Sequence, residues 1–188
     1  LLNVMLVGKT KNFRVVNGVL FDKDLTRLIW YPYDREGGYK VPITVTSIDT
    51  EAFTKRERLT SITIPSPITK IPDDAFCRCS YLKKVRFPNS VTSIGENAFL
   101  SCRRLEKVVF SNSLVSIGSN AFQFCEALDS IFLPNSVTFI GDFAFAECYK
   151  AEYFSARNPN ISLGNGILSD CFRLDRIYIS KDLKYSSG

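Results

Sequence analysis

The chain has 188 residues, 45% of them hydrophobic and 23% charged, with a formal net charge of +5 and no histidine. No run approaches the roughly 18 apolar residues that span a bilayer, and the mild positive charge comes without the long Lys/Arg run, RNP-like motif or zinc-finger spacing of a nucleic-acid binder. Without histidine, a Cys–His nucleophile is excluded, while the length suffices for one sizeable core, so residues 1–188 are expected to form a single domain.

The opening LLNVMLVG is apolar but short. It lacks a preceding basic segment and a following small-residue cleavage site, so it reads as a strand around Val4 and Leu6 rather than a signal peptide. Residues 13–32, FRVVNGVLFDKDLTRLIWYP, alternate apolar and polar positions on both sides of Asp22-Lys23-Asp24, which is a β-hairpin pattern. A further strand is expected at Tyr39–Val41. Residues 1–40 thus form one irregular unit whose hairpin covers one end of the repeats beyond it.

From residue 41 onward the chain repeats every 23 residues. Phe53, Phe76, Phe99, Phe122 and Phe145 form one column, each preceded by Ala, and Ile48, Ile71, Ile94, Ile117 and Ile140 form another. Each unit begins with L-x-x-V-x-F, as in Leu105–Phe110, whose alternation marks a short strand with one buried face. Pro or Ser follows, with Asn-Ser in three units, suiting a turn. V-T-x-I-G is a second extended piece, closing on a glycine able to take positive φ. E-N-A-F-x-x-C then places polar residues at the start of roughly two helical turns. A unit this small cannot bury its own apolar face, so neighbours must stack, with parallel strands about 4.8 Å apart. Repeats are expected over residues 41–180, with a tail at 181–188.

The pattern LxxVxFPxSVTSIGxxAFxxC resembles the BspA-like, or treponemal-type, leucine-rich repeat. It matches Leu82–Cys102 and Leu128–Cys148 almost letter for letter, and Leu105–Cys125 with Ser111 in place of Pro. The hairpin at 13–32 also looks like an irregular unit common in that family. The resemblance implies an α/β leucine-rich-repeat solenoid: a curved right-handed stack with strands on the concave face and short helices or turns on the convex face. It also implies a secreted, surface-displayed or periplasmic protein, adhesin-like in several relatives, that binds a host or other protein. It brings no catalytic motif, cofactor or metal ligand.

Cys79, Cys102, Cys125, Cys148 and Cys171 form a column of their own, and Arg56 takes that place in the first full unit. One Cys per unit, repeated in parallel, is not zinc-ligand spacing. A disulfide between stacked units competes with a ladder of buried thiols, but parallel side chains in one column seldom point at each other as the bond requires. Cys77 lies in a mixed column and is expected to be partly exposed. No G-x-S-x-G, phosphate loop or paired carboxylates on a shared face are present, so no enzyme is expected.

Function is therefore sought on the outward columns of the strands. These carry Val109, Phe132, Tyr153 and Tyr178, flanked by Lys84, Arg86, Lys107 and Arg176. Apolar residues on an outward face mark an interface, and Tyr and Arg are common anchors. These eight residues are the expected concave site for a protein ligand. Strand propensity alone, or self-association through this face or an end, are the competing explanations for the patch, and the alternative function is a structural, self-associating repeat segment of a larger assembly. The acidic column Glu106, Asp129, Glu152 and Asp175 is expected to pair with neighbouring bases.

Overall fold

A computed structural model describes residues 11–180. The strand expected around Val4 and Leu6 and the tail at 181–188 lie outside the described residues. The N-terminal unit is a meander of β1 (Phe13–Val16), β2 (Val19–Asp22) and β3 (Arg27–Trp30), followed by β4 (Gly37–Lys40). Two tight turns build it. Asn17-Gly18 takes positive φ at both residues (50° and 78°), as a type I′ hairpin demands. At the second, Asp22 accepts the N–H groups of Thr26 (2.8 Å) and Arg27 (3.0 Å). Those bonds, that to Arg27 foremost, hold its carboxyl below the usual carboxylate range. Val19, Phe21 and Leu28 are buried, so the meander covers the N-terminal end of the core.

Beyond it the strands alternate between two faces: β5 (Ser47–Ile48), β6 (Leu59–Thr63), β7 (Lys70–Ile71), β8 (Lys84–Arg86), β9 (Ser93–Ile94) and β10 (Lys107–Val109). The alternation continues through β11 (Ser116–Ile117), β12 (Ser130–Phe132), β13 (Phe139–Ile140), β14 (Tyr153–Ala156), β15 (Ser162–Leu163) and β16 (Arg176–Ile179). The short odd-numbered strands from β7 to β15 form one five-stranded parallel sheet. The longer strands form two sheets, β4-β6-β8-β10 and β12-β14-β16, with no ladder joining β10 to β12. At that seam Val108 and Phe110 are only partly buried, whereas the equivalent Val85, Phe87, Ile131 and Leu133 are buried.

The third side of each coil corrects the α/β expectation. No helix occurs among the described residues, and the E-N-A-F-x-x-C segments are successive turns. Two residues of left-handed conformation in each unit prevent a helix: Asn97 (φ 52°) and Ser101 (φ 59°) in one, Asn120 (54°) and Phe124 (58°) in the next. They aim alternate N–H groups along the stack. Asn97, Phe99 and Ser101 donate to the carbonyls of Ser119, Ala121 and Gln123 on the following coil, at 2.8–2.9 Å. The N–H groups between them close local turns, Leu100 to Asn97 and Cys102 to Phe99. The turns therefore act as a third ladder, and the fold is an all-β solenoid.

The glycines also serve a different purpose from the one expected. Gly95, Gly118, Gly141 and Gly164 are not among the positive-φ residues. A Cβ at Gly118 would lie 2.6 Å from the Glu96 nitrogen and 2.7 Å from the Gly95 carbonyl carbon of the preceding coil. Close approach of backbones, rather than turn geometry, demands glycine there.

Inside, the columns stack as the period implies. The Phe53-to-Phe145 rings lie 4.9–5.3 Å apart in register, and each buried ring contributes about 1.5–3 kcal/mol by leaving water. Beside them the thiols of Cys79, Cys102, Cys125, Cys148 and Cys171 donate to the carbonyls of Phe53, Phe76, Phe99, Phe122 and Phe145 at 3.1–3.4 Å. All six cysteines are free. Cys77, expected to be partly exposed, is buried, at 7% exposure.

Candidate binding surface

The outward side chains of the longer strands are positioned by the parallel register. Lys107 pairs with Lys84, which pairs with Ser61, and Val109 pairs with Arg86. Lys84, Arg86 and Lys107 are exposed and Val109 is half-buried. Together with Ser61 they line a shallow hollow of about 410 Å³ whose floor includes Ile62 and Val85. On the other sheet Ser130, Tyr153 and Arg176 are in register, as are Phe132, Ser155 and Tyr178. Phe132 is 60% exposed and Tyr178 42%, with the buried Ser155 between them.

The eight expected residues thus fall into two groups across the β10/β12 seam. Lys84, Arg86, Lys107 and Val109 share the first sheet; Phe132, Tyr153, Arg176 and Tyr178 share the second. In the second group the aromatic rings carry cations. The Arg176 guanidinium lies 5.3 Å from the Tyr153 ring centre and that of Arg157 lies 5.5 Å from Tyr178. Arg157 was not expected at the site from the sequence. Its signal was there, since it occupies the column held elsewhere by Pro65, Pro88, Ser111 and Pro134.

The acidic column does not form the expected network. Among the described residues only Asp175 has an ion pair, with Arg176 at 3.4 Å, and both side chains are well exposed. The other ion pairs join Arg27 to Asp49, Arg58 to Glu36 and Arg103 to Glu126. The neighbouring column offers few bases, since beyond Lys107 it holds Ser130 and Tyr153 before Arg176, and Asp129 accepts instead from the Ser130 hydroxyl at 2.7 Å.

The four inner thiols of the cysteine column are not poised for reaction, whereas Cys171 at its far end is half-buried and its thiol is held below the ordinary range by its hydrogen bond with Cys148. Burial drives the Cys79 thiol up to about 12 and those of Cys102 and Cys125 well above the ordinary range. Arg56, which replaces cysteine in the first unit, is buried. Its Nε donates to the Tyr31 carbonyl at 2.5 Å and its guanidinium carbon sits 3.8 Å from the Tyr33 ring centre. It seals the junction between the meander and the repeats. Among the described residues no group of His, Cys, Asp or Glu is arranged to hold a metal ion.

The architecture has known relatives. A leucine-rich repeat protein from Bacteroides ovatus aligns with 82% of this chain and 43% of its own, at 25% identity and a TM-score of 0.72. A leucine-rich cell surface protein from Faecalibacterium prausnitzii aligns with 76% of this chain and 48% of its own, at 28% identity and a TM-score of 0.61. The pneumococcal vaccine antigen PcpA aligns with 93% of this chain and 39% of its own, at 27% identity and a TM-score of 0.60. The chain thus spans less than half the length of these three proteins. No curated protein matches it. Six copies of the BspA-type leucine-rich repeat region are matched over residues 46–175, and the chain belongs to that family.

Proposed function

We propose that this chain is a non-catalytic protein-binding module, secreted or displayed at a cell surface, that engages a host or other protein through its outward strand face. Leucine-rich repeat proteins are in general protein-interaction modules, and the similarity to a cell surface protein and a vaccine antigen supports the location. The observation that carries the site is the exposure of Phe132 and Tyr178 on a strand face with cationic neighbours. Replacing both with Ser leaves the core untouched. The double variant is expected to melt like the wild type and to lose capture of a partner from host extracellular proteins. Undiminished capture by the variant would remove the strand face from consideration.

A second reading, self-association, has its own observation. Ile177 and Ile179 are 55% and 44% exposed on β16, whereas Ile131 and Leu133, in the same columns, are 0% and 7% exposed. Exposed apolar side chains on a strand would let copies of this chain meet through β16. Sedimentation of the wild type and Ile177→Lys tests it: a wild-type monomer at high concentration would end that reading.

A further inference from the structure

The two outward columns of β4, β6, β8 and β10 comprise Gly38, Ser61, Lys84 and Lys107, and Lys40, Thr63, Arg86 and Val109. Half of these eight positions are cations and none is a carboxylate. Lys84 and Lys107 stand directly opposite each other on paired strands. Like charges so placed are destabilising, and a carboxylate in either column would relieve them. None is there, and Lys40, Lys84, Arg86 and Lys107 take part in no ion pair among the described residues. The closest acidic column starts at Glu106, one residue before the strand, and it too leaves them unpaired. Charge is therefore segregated along the stack. The β4–β10 face is cationic, while acids gather at the starts of the later strands, at Asp129, Glu152 and Asp175.

Resting on the reading of the strand face as a protein-binding surface, we infer that the hollow over β6, β8 and β10 receives an acidic polypeptide segment of the partner. Its carboxylates would lie on Lys84, Lys107 and Arg86, and apolar residues would extend toward Val109 and Phe132. Adjacent strands are about 4.8 Å apart, so acidic side chains of one extended segment crossing the strands can meet successive cations. Charge complementarity of this kind guides encounter and fixes register. The half-buried Val109 and the exposed Phe132 and Tyr178 beyond it favour a polypeptide over a sulfated glycan. A glycan would need the cations to continue along the face. On this face past β10, the described cations beside the outward columns are Arg157 and Arg176, each held over a tyrosine ring.

The test uses a fluorescein-labelled twelve-residue peptide with a Glu-rich half and a Leu/Phe half, its Glu→Gln counterpart, and a heparin fragment. Binding is read by anisotropy with the full chain. The Glu peptide is expected to bind, with affinity falling as salt is raised from low to physiological strength. Both the Gln peptide and the Lys84→Gln/Lys107→Gln variant should weaken binding roughly tenfold. Peptide binding indifferent to both changes would overturn the inference. So would heparin binding without peptide binding, which would assign a glycan, or a salt-sensitive dimer in place of peptide binding. If partner capture is lost with the Phe132/Tyr178 variant yet unchanged with the lysine variant, the strand-face reading stands and the acidic segment falls.

Discussion

The rings of Phe99 and Phe122 lie parallel, with 0° between their planes and 5.2 Å between their centres. Each is buried completely and each belongs to a different coil. Such a contact couples neighbours, so stability is a sum over coils and their interfaces. Phe99→Ala should cost about 3–5 kcal/mol by opening a cavity in the middle of the column. Urea unfolding checks it. A loss below about 1 kcal/mol would mean the column is not the spine of the stack.

Two glycine substitutions separate two physical causes. Gly118→Ala drives a methyl group into backbone of the preceding coil and should cost about 1–3 kcal/mol or more, as overpacking does. Gly37→Ala meets nothing within 4 Å but has φ of 88°, so it should cost only about 1 kcal/mol, through conformational strain. Thermal unfolding of both variants would show whether close approach outweighs dihedral strain.

Thiol reactivity should be graded. Cys79, Cys102, Cys125 and Cys148 are fully buried, Cys77 nearly so, and Cys171 is half-buried at the far end of the column. The native protein should titrate one thiol quickly with a disulfide reagent and all six only after denaturation. Cys171→Ser should abolish the fast phase. A fast phase surviving that change would place another thiol at the surface.

The same column sets an alkaline limit. Burial raises Cys79 from 9.0 to about 12, so the native state holds its proton where the unfolded chain releases it. Its contribution is intact below about pH 9 and is lost as pH rises toward about 12. At about pH 10 each such thiol should lower stability by on the order of 1 kcal/mol relative to about pH 8. Urea midpoints across that range measure it, and replacing Cys102 with Ala should flatten the profile.

Lys107 stands opposite Lys84, so relieving that repulsion should help the fold. Lys107→Glu is expected to raise stability by about 0.2–1 kcal/mol, with the gain shrinking in high salt. A destabilised variant would show that the lysine stem contributes packing that outweighs its charge.

The period made the interior legible. The columns Phe53 to Phe145 and Cys79 to Cys171 could be read as stacked and inward because residues one repeat apart must share a side of the coil. What the letters could not tell was conformation at single positions. Asn97 looks like a residue of a helix start and Ser101 falls in the second expected turn, yet their left-handed φ turns the N–H groups toward the next coil. The glycine column was found, but for the wrong reason, since a clash with the preceding coil is a tertiary fact. The seam between β10 and β12 leaves the 23-residue length unchanged, and its one mark in the letters is Ser111, which follows β10 where Pro88 and Pro134 follow β8 and β12. The outward residues were legible in the letters. Their division into a cationic and an aromatic group needed the register, and Arg157 escaped notice because it lies just past the end of a strand.

The alternating turn bonds have a mechanical consequence. Except between β5 and β7 and at the β10/β12 seam, the three sides of neighbouring coils are hydrogen-bonded to each other along the direction in which coils stack. Tension applied between the two ends of the stack therefore loads one coil boundary after another, like the teeth of a zipper, and does not shear many bonds at once. A molecule built this way gives under pull in steps of one repeat. Each step releases 23 residues of slack while the remaining coils keep their shape.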